Sequence, residues 1–474
     1  VVPERLRPVL DEANELARLF AGAGFRLYLV GGVVRDALLD RLNRDGDLDF
    51  TTDALPDQTE ALLASWADAT WAQGKRFGTI GAAKGQRRLE VTTHRAEEYE
   101  SSSRKPDVVF STALEADLAR RDFTVNAMAL SLPDLALVDP FDGVADLAAK
   151  RLRTPLSPEV SFTDDPLRMM RAARFIAGYG LQPEPHLREA VGRLRGRLDI
   201  VSDERVRDEL DKLLVVEDPS EGLWFLVKTG LAEEFLPELP ALALEEDPVH
   251  RHKDVLAHTI AVVQRARPSR IVRLAALFHD IGKPKTRSFG PGGTVSFHHH
   301  ELVGARMTRD RMRALRYPAD DIEKVSALVE LHLRFHTYGM GWTDSAVRRY
   351  VRDAGDLLQE LNELTRADCT TRNPARTAAL SQRMDELEAR IAELREIEEL
   401  ASIRPDLDGR EVMSHLGLAP SPLVGRALNH LLELRLEDGP HSHEDALRLL
   451  DEWWGLQPES VSPHPGPAQP LPGA

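Results

Sequence analysis

The stretch 27–50, LYLVGGVVRDALLDRLNRDGDLDF, constrains this chain more than any other. It reads as a β-strand running into a double-glycine turn, a short helix starting near Val33, a polar loop and a second strand carrying Asp47 and Asp49. Side chains two apart on a strand share a face, so the two carboxylates point together while Leu48 and Phe50 point into a core. Paired carboxylates grip hard cations. Gly31 and Gly32 carry no side chain, so backbone amides at a helix start can approach an anion closely, and Arg35, with Asp36 beside it, follows one turn on. A phosphate cradle next to a divalent-metal clamp points to nucleotide chemistry.

At 474 residues the chain is too long for one core and divides by size into roughly three domains. Up to about residue 145, strand-like runs (26–30, 48–52, 79–84, 88–95, 129–133, 136–140) alternate with helical patterns at 5–22, 56–68 and around 113–128. That is a small mixed sheet with helices on one side, and the polar, Pro-containing segment 101–107 reads as a mobile loop. From about 146 the strand signals vanish and helical patterns run to 454, broken by Pro and Gly clusters at 182–185, 237–248 and 289–293. The fold class is therefore α+β, a mixed-sheet head followed by a long all-α remainder. Between 376 and 401, Leu380, Met384, Leu387, Ile391, Leu394, Ile397 and Leu400 step by three and four, which predicts one long amphipathic helix. The residues after about 457 are rich in Pro, Gly and Ser and read as disordered.

A formal net charge of -16 argues against a protein that coats nucleic acid through bulk electrostatics. The distribution is uneven: 168–207 holds nine arginines against five acids, either a basic strip that tracks one RNA backbone or a solvated helix face of mixed charge. Cys369 is the only cysteine, which excludes a disulfide framework and a thiolate metal cluster. No run has the length and apolarity of a membrane span, and the charged, periodic start is unlike a signal peptide, so the expected location is the cytoplasm.

Further groups join the carboxylates. In RRLEVTTHR, Glu90 sits on a predicted strand and either reaches the same cations or is a surface residue. In ARRDFTVNAMAL (119–130), Arg121, Asp122 and Asn126 offer a phosphate or ribose contact at a helix-like turn while Phe123, Val125 and Met128 bury. VDPFDGVADL (138–147) reads as strand, Asp-Pro turn and Gly stop before a helix, with a structural role. In DDPLRMMRAARF (164–175), Asp164 is placed to cap a helix with Pro166 in its first turn, and Asp165, Arg168, Arg171 and Arg174 recur every third residue along one slowly rotating face.

Acceptors on Asp165 and donors on Arg168 complement a base edge that pairs an exocyclic amine with an unprotonated ring nitrogen. Adenine and cytosine present that edge; guanine and uracil present the reverse, and unpaired buried polar groups reject a wrong substrate by roughly 10⁴-fold. The alternative is an intrahelical pair that contributes about 0.3 to 0.5 kcal/mol.

LVGGVVRD, DLDF, EVTTHR, RRDFTVNA, DPFDG, DDPLRMMRAARF and SDERVRDEL stand in the order and spacing of the class II tRNA nucleotidyltransferase and bacterial poly(A) polymerase family, which 25–215 resembles. The resemblance implies a polymerase-beta-like catalytic head. In it Asp47 and Asp49 hold catalytic Mg²⁺ with Glu90 beside them, and Gly32, Arg35 and Arg121 contact triphosphate and ribose. It makes Asp165 and Arg168 the base-selecting pair, with Arg171 and Arg174 completing the row. Asp164 departs from the family pattern, where Glu is usual.

HKDVLAHT, LAALFHDIGKPKT, FHHHELVGA, LVELHLRFH and RADCTT follow. Histidines with an adjacent His-Asp pair bind divalent ions and activate water. This set resembles an HD domain, in which His258, His279, Asp280 and Asp368 match the four-residue signature and His300 and His332 are placed for a second metal. A metal-dependent phosphohydrolase and a metal-stabilised body are both open. The segment 405–428 is similar to the tail of HD-bearing members of the family.

The expected organisation is head 1–145, helical neck 146–247, HD domain 248–375, helical tail 376–455 and a disordered end 456–474. The expected function is a CCA-adding tRNA nucleotidyltransferase using CTP and ATP with Mg²⁺, and partners are tRNA and these nucleotides rather than DNA or membrane. Rivals are a poly(A) polymerase, an A-only or CC-only adding enzyme, a nucleotidyltransferase–HD signalling enzyme, and a silent RNA-binding protein.

Overall fold

The computed structural model describes residues 7–43, 46–98, 107–244, 254–291, 294–337, 341–369, 374–400 and 403–461. Of the expected loop 101–107, residues 101–106 lie outside them and Asp107 begins a strand, and the final 462–474 also lie outside. The chain divides into two compact units, Val1–Gln264 with Arg309–Ala319, and Arg265–Thr308 with Asp320–Ala474.

The first unit opens with helix Arg7–Gly22, whose Val9, Ala13, Leu16, Ala17 and Phe20 recur at helical spacing and are buried. It covers a seven-stranded sheet of order β3-β4-β5-β2-β1-β8-β9. These strands are β1 Leu27–Val30, β2 Leu48–Thr52, β3 Ala69–Trp71, β4 Thr79–Lys84, β5 Arg87–Thr93, β8 Ala129–Leu132 and β9 Leu137–Val138. The sheet is mixed, as expected: β2 and β5 run parallel with Asp49 opposite Glu90, and β1 is antiparallel to β2 and β8. Leu48, Phe50, Leu89 and Val91 bury their alternating side chains in the core, which leaves Asp49 and Glu90 together on the other face.

Several elements differ from expectation. The strand predicted through Arg95 breaks at His94, whose amide turns to the Thr52 carbonyl at 2.7 Å; the chain then starts a separate hairpin, β6 Arg95–Glu98 with β7 Asp107–Phe110. The helical pattern at 113–128 divides into helix Leu114–Ala119 and a 3-10 turn Thr124–Asn126, because the Asp122 carboxylate takes the Phe123 amide at 2.8 Å. The helix expected after Gly143 begins at Gly143 itself, whose amide and that of Val144 bond the Asp139 carboxylate at 2.7 and 2.9 Å.

The remainder is not wholly helical. A parallel pair, β10 Arg151–Leu152 with β11 Gln182–Pro183, lies in the first unit, and an antiparallel pair, β12 Arg287–Phe289 with β13 Val295–Phe297, lies in the second. Ladders this short carry no readable alternation. Asp164 does not cap the arginine helix but ends helix Pro158–Asp164; Asp165 takes the Leu167 amide at 3.2 Å and helix Leu167–Tyr179 follows.

The second unit holds helix Pro374–Ile397 much as its periodicity predicts, with Met384, Leu387, Ile391 and Leu394 buried. Ile397 departs from that row and is 74% exposed at the helix end. Pro458–Val461 form a 3-10 turn where disorder is expected. Among the described residues no helix is long and apolar enough to cross a membrane.

Candidate active site and metal centre

A cleft of about 400 Å³ opens in the first unit above Asp49 and Glu90. Gly31 and Gly32 form one wall, and Gly31 sits at φ 77, a left-handed conformation that suits glycine. A Cβ there would lie 3.2 Å from Arg121 Nη1 and 3.6 Å from Asp49 Oδ2, so the bare backbone is what keeps this corner open. Burial raises the pKa of Asp49; Arg121 opposes that, and the negative charges of Glu90 and Asp47 add to it. An oxygen-only set whose members repel one another is the donor chemistry of a hard divalent cation. The expected strand carrying both carboxylates starts one residue late: Asp47, exposed and just before β2, does not line the cleft, though its charge reaches Asp49.

Arg121, Asp122 and Asn126 also face the cleft. Arg121 Nη2 reaches the fully buried Asp117 at 3.5 Å, and Arg120 bonds the other oxygen of that carboxylate at 2.8 Å. Asp122 pairs with Arg171 at 2.5 Å and accepts from Asn126 Nδ2 at 2.9 Å. Burial works to raise the Asp122 pKa, but Arg171 and the Asn126 hydrogen bond outweigh it and hold the carboxyl below its ordinary value.

Asp165 and Arg168 stand at the far wall beside Arg171. Arg168 gives Nη1 to Ser161 Oγ at 3.0 Å and Nη2 to the Arg120 carbonyl at 2.5 Å, which fixes the plane of the guanidinium. Asp165 Oδ2 lies 3.4 Å from Arg205. The arginine row then divides: Arg174 does not line the cleft and pairs with buried Glu209 at 2.8 Å. With Arg195 on Glu233 at 2.9 Å and Arg207 on Asp208 at 2.8 Å, the basic strip of the sequence is largely neutralised by partners.

Arg35 is placed differently from expectation. It is buried and gives Nη1 to Asn126 Oδ1 at 2.5 Å, Nη2 to the Tyr179 hydroxyl at 2.5 Å and Nε to Asp36 at 2.9 Å, with Tyr179 under its plane at 4.2 Å. Neither Arg35 nor Asp36 lines the cleft; Arg35 ties the glycine turn to helix Leu167–Tyr179. Residues that the sequence did not single out also line it, among them Thr79, Thr92, Arg95 and Arg120. Thr92 was legible as the residue two beyond Glu90 on one strand; Thr79 comes from the β4–β5 register, for which the sequence carries no signal.

In the second unit three imidazoles share one pattern. His279, His300 and His332 each place Nδ1 on the carbonyl three residues earlier, at 2.8, 2.8 and 2.6 Å, which assigns the Nδ1–H tautomer and turns Nε2 inward. His300 Nε2 and His332 Nε2 lie 3.3 Å apart, and Asp280 lies 3.2 Å from His279 Nε2 and 3.4 Å from His300 Nε2. Asp368 lies 3.7 Å from His279. Burial, with the charge of His279 adding to it, pushes His332 down to about 3, so this ring keeps a free lone pair at neutral pH. Burial acts on Asp280 in the opposite sense, yet His279 and His300 hold it well below the usual carboxylate range. Asp280, His300 and His332 bring their ligand atoms within 4.8 Å of one another, the spacing a divalent ion requires. His258 is half-buried on helix Val255–Arg265, which is counted with the first unit.

Family models match the chain in three places: the Poly A polymerase head domain at 27–153, "Probable RNA and SrmB- binding site of polymerase A" at 180–242, and the HD domain at 255–394. An A-adding tRNA nucleotidyltransferase of Deinococcus radiodurans is 34% identical over 90% of this chain and 95% of its own length. A CC-adding tRNA nucleotidyltransferase of Thermus thermophilus is 34% identical over 92% of this chain and 96% of its own. The solved structure of the Bacillus stearothermophilus CCA-adding enzyme in complex with CTP superposes with a TM-score of 0.69 at 24% identity, covering 95% of this chain and 98% of that one. The chain is a nucleotidyltransferase, and it belongs to the tRNA nucleotidyltransferase and poly(A) polymerase family with an HD domain.

Proposed function

We propose that the cleft adds C, C and A from CTP and ATP to the 3′ end of tRNA, releasing pyrophosphate. The observation that carries this reading is one lining surface holding Asp49 and Glu90 at its floor and Asp165 with Arg168 at its wall. Gly31 and Gly32 leave room for a triphosphate, and Arg121 faces its oxygens. Asp165 and the oriented fork of Arg168 read a base edge common to C and A, so a single pocket serves both nucleotides. A divalent cation bound by Asp49, Glu90 and Asp47, Mg²⁺ by the resemblance, would activate the attacking hydroxyl and neutralise pyrophosphate. Addition of only part of CCA is the second reading, favoured by the two full-length relatives, one A-adding and one CC-adding. The test is incorporation of labelled CTP and ATP into a tRNA transcript lacking CCA: Asp49→Asn should lower the rate by roughly 10²-fold or more, and full retention of activity would remove the cleft from the chemistry.

For the HD residues we propose a divalent-metal site with phosphohydrolase capacity, supported by three imidazoles held in one tautomer around Asp280. Metal analysis of the purified chain should show an ion that His300→Ala with His332→Ala releases, without loss of nucleotide incorporation. Equal metal content in that variant would contradict the site.

A further inference from the structure

The cleft continues past Asp49 onto β5 and β4, away from the glycine turn. Across the sheet, Gly31 follows β1, Asp49 is on β2, and β5 and β4 lie beyond, so Gly31 and Glu90 flank Asp49 on opposite sides. Neighbouring strands are about 4.8 Å apart, which separates these flanks by roughly 10 Å. In an in-line displacement the attacking and leaving oxygens stand on opposite sides of the phosphorus. With the triphosphate against Gly31 and Arg121, pyrophosphate leaves on the β1 side and the attacking strand enters over β5 and β4.

That entry side is built for an anion. Thr92 stands two residues beyond Glu90 on the same face, and its hydroxyl lies 2.9 Å from that of Thr79, its partner on β4. Arg95 completes the lining, half-buried, with Nη1 anchored on the Phe77 carbonyl at 2.6 Å. The Thr79–Thr92 bond uses one hydroxyl proton and leaves the other, and that hydroxyl with the Arg95 guanidinium supplies the donors and the positive charge that a phosphodiester needs and the neighbouring carboxylates lack.

We propose that Thr79, Thr92 and Arg95 form the subsite for the last phosphodiester of the RNA being extended, and so hold its 3′-hydroxyl on the side of Asp49 opposite the leaving group. The assignment rests on the nucleotidyl-transfer reading of the cleft.

The test uses the full chain and two primers, a tRNA transcript lacking its CCA end and the same RNA with its last phosphodiester replaced by an uncharged methylphosphonate. Wild type should show a primer KM roughly tenfold higher on the neutral linkage, the scale of one charge-assisted hydrogen bond. Arg95→Ala and Thr92→Val should raise the primer KM on the ordinary RNA while leaving the KM for CTP unchanged, and Arg95→Ala should lose nothing further on the neutral primer. Its salt dependence should flatten by about 0.7 in logarithmic slope, one single-strand phosphate contact. Additive losses from the variant and the neutral linkage would overturn the subsite, as would a rise in CTP KM alone. A wild type indifferent to the neutral linkage overturns it without any variant having to fold. An inactive wild type on ordinary RNA would instead defeat the nucleotidyl-transfer reading itself.

Discussion

Arg35 and Arg121 show how far residue type alone carries an assignment. Both are arginines next to the glycine turn, and the resemblance casts both as triphosphate contacts. The structure separates them: Arg35 is spent on Asn126, Asp36 and Tyr179, while Arg121 faces Asp49 across the cleft. Arg35→Ala removes the buried guanidinium that Asn126 and the 27% exposed Asp36 bond, at a cost of about 2 kcal/mol on the scale of a lost charged hydrogen bond. The unfolding midpoint should drop clearly. Arg121→Ala should leave the midpoint within a few degrees and raise the KM for nucleotide. Thermal unfolding together with nucleotide KM separates the two, and a reversed pattern would return Arg35 to the phosphate site. The resemblance, not any local period, placed Asp49, Glu90, Asp165 and Arg168 in one site, and no sequence signal could place the partners of Arg35, which are up to 144 residues away.

At the scale of elements, the glycine turn is where local backbone and chemistry meet. Gly31→Ala forces a side chain into a left-handed backbone at about 1 to 2 kcal/mol, and puts Cβ against Arg121. Nucleotide incorporation should fall well beyond what the modest loss of stability explains; an alanine variant with normal KM and kcat would show that the corner holds no phosphate. The first helix and the long helix Pro374–Ile397 were readable from their period. The two-residue ladders β10 and β11 were not, since they pair across about thirty residues, nor was the break at His94, which a bond to the distant Thr52 carbonyl sets. Asp164 failed as a cap for a related reason: two helices abut at Asp165, and the earlier one claims it.

At the scale of the whole molecule, charge is organised by burial. Cys369 is buried, and burial with the charge of Asp368 pushes its thiol up to about 11. Asp117 and Asp122 are buried, and arginines (Arg120 and Arg121 for Asp117, Arg171 for Asp122) overcome the burial penalty and hold their pKa values below the ordinary range. An unfolded Asp titrates near ~3.9, so the unfolded state binds protons first. The stability these carboxylates contribute is complete above that pH and is lost as pH falls through their lower folded values. Acid titration of the first unit's unfolding should therefore steepen below about pH 4 and flatten in Asp122→Asn; an unchanged acid limb would contradict the ion-pair account.

The measurement that tests the account most directly is incorporation of each nucleotide, alone and in combination, into tRNA transcripts ending before CCA, after C and after CC, by wild type and by Asp165→Ala. The account predicts C, C and A in order, then arrest, with the variant accepting U or G at rates much closer to those for C and A. Growth of long A tails on any RNA, or unchanged base choice in Asp165→Ala, would contradict a protein pocket that selects C and A through Asp165 and Arg168.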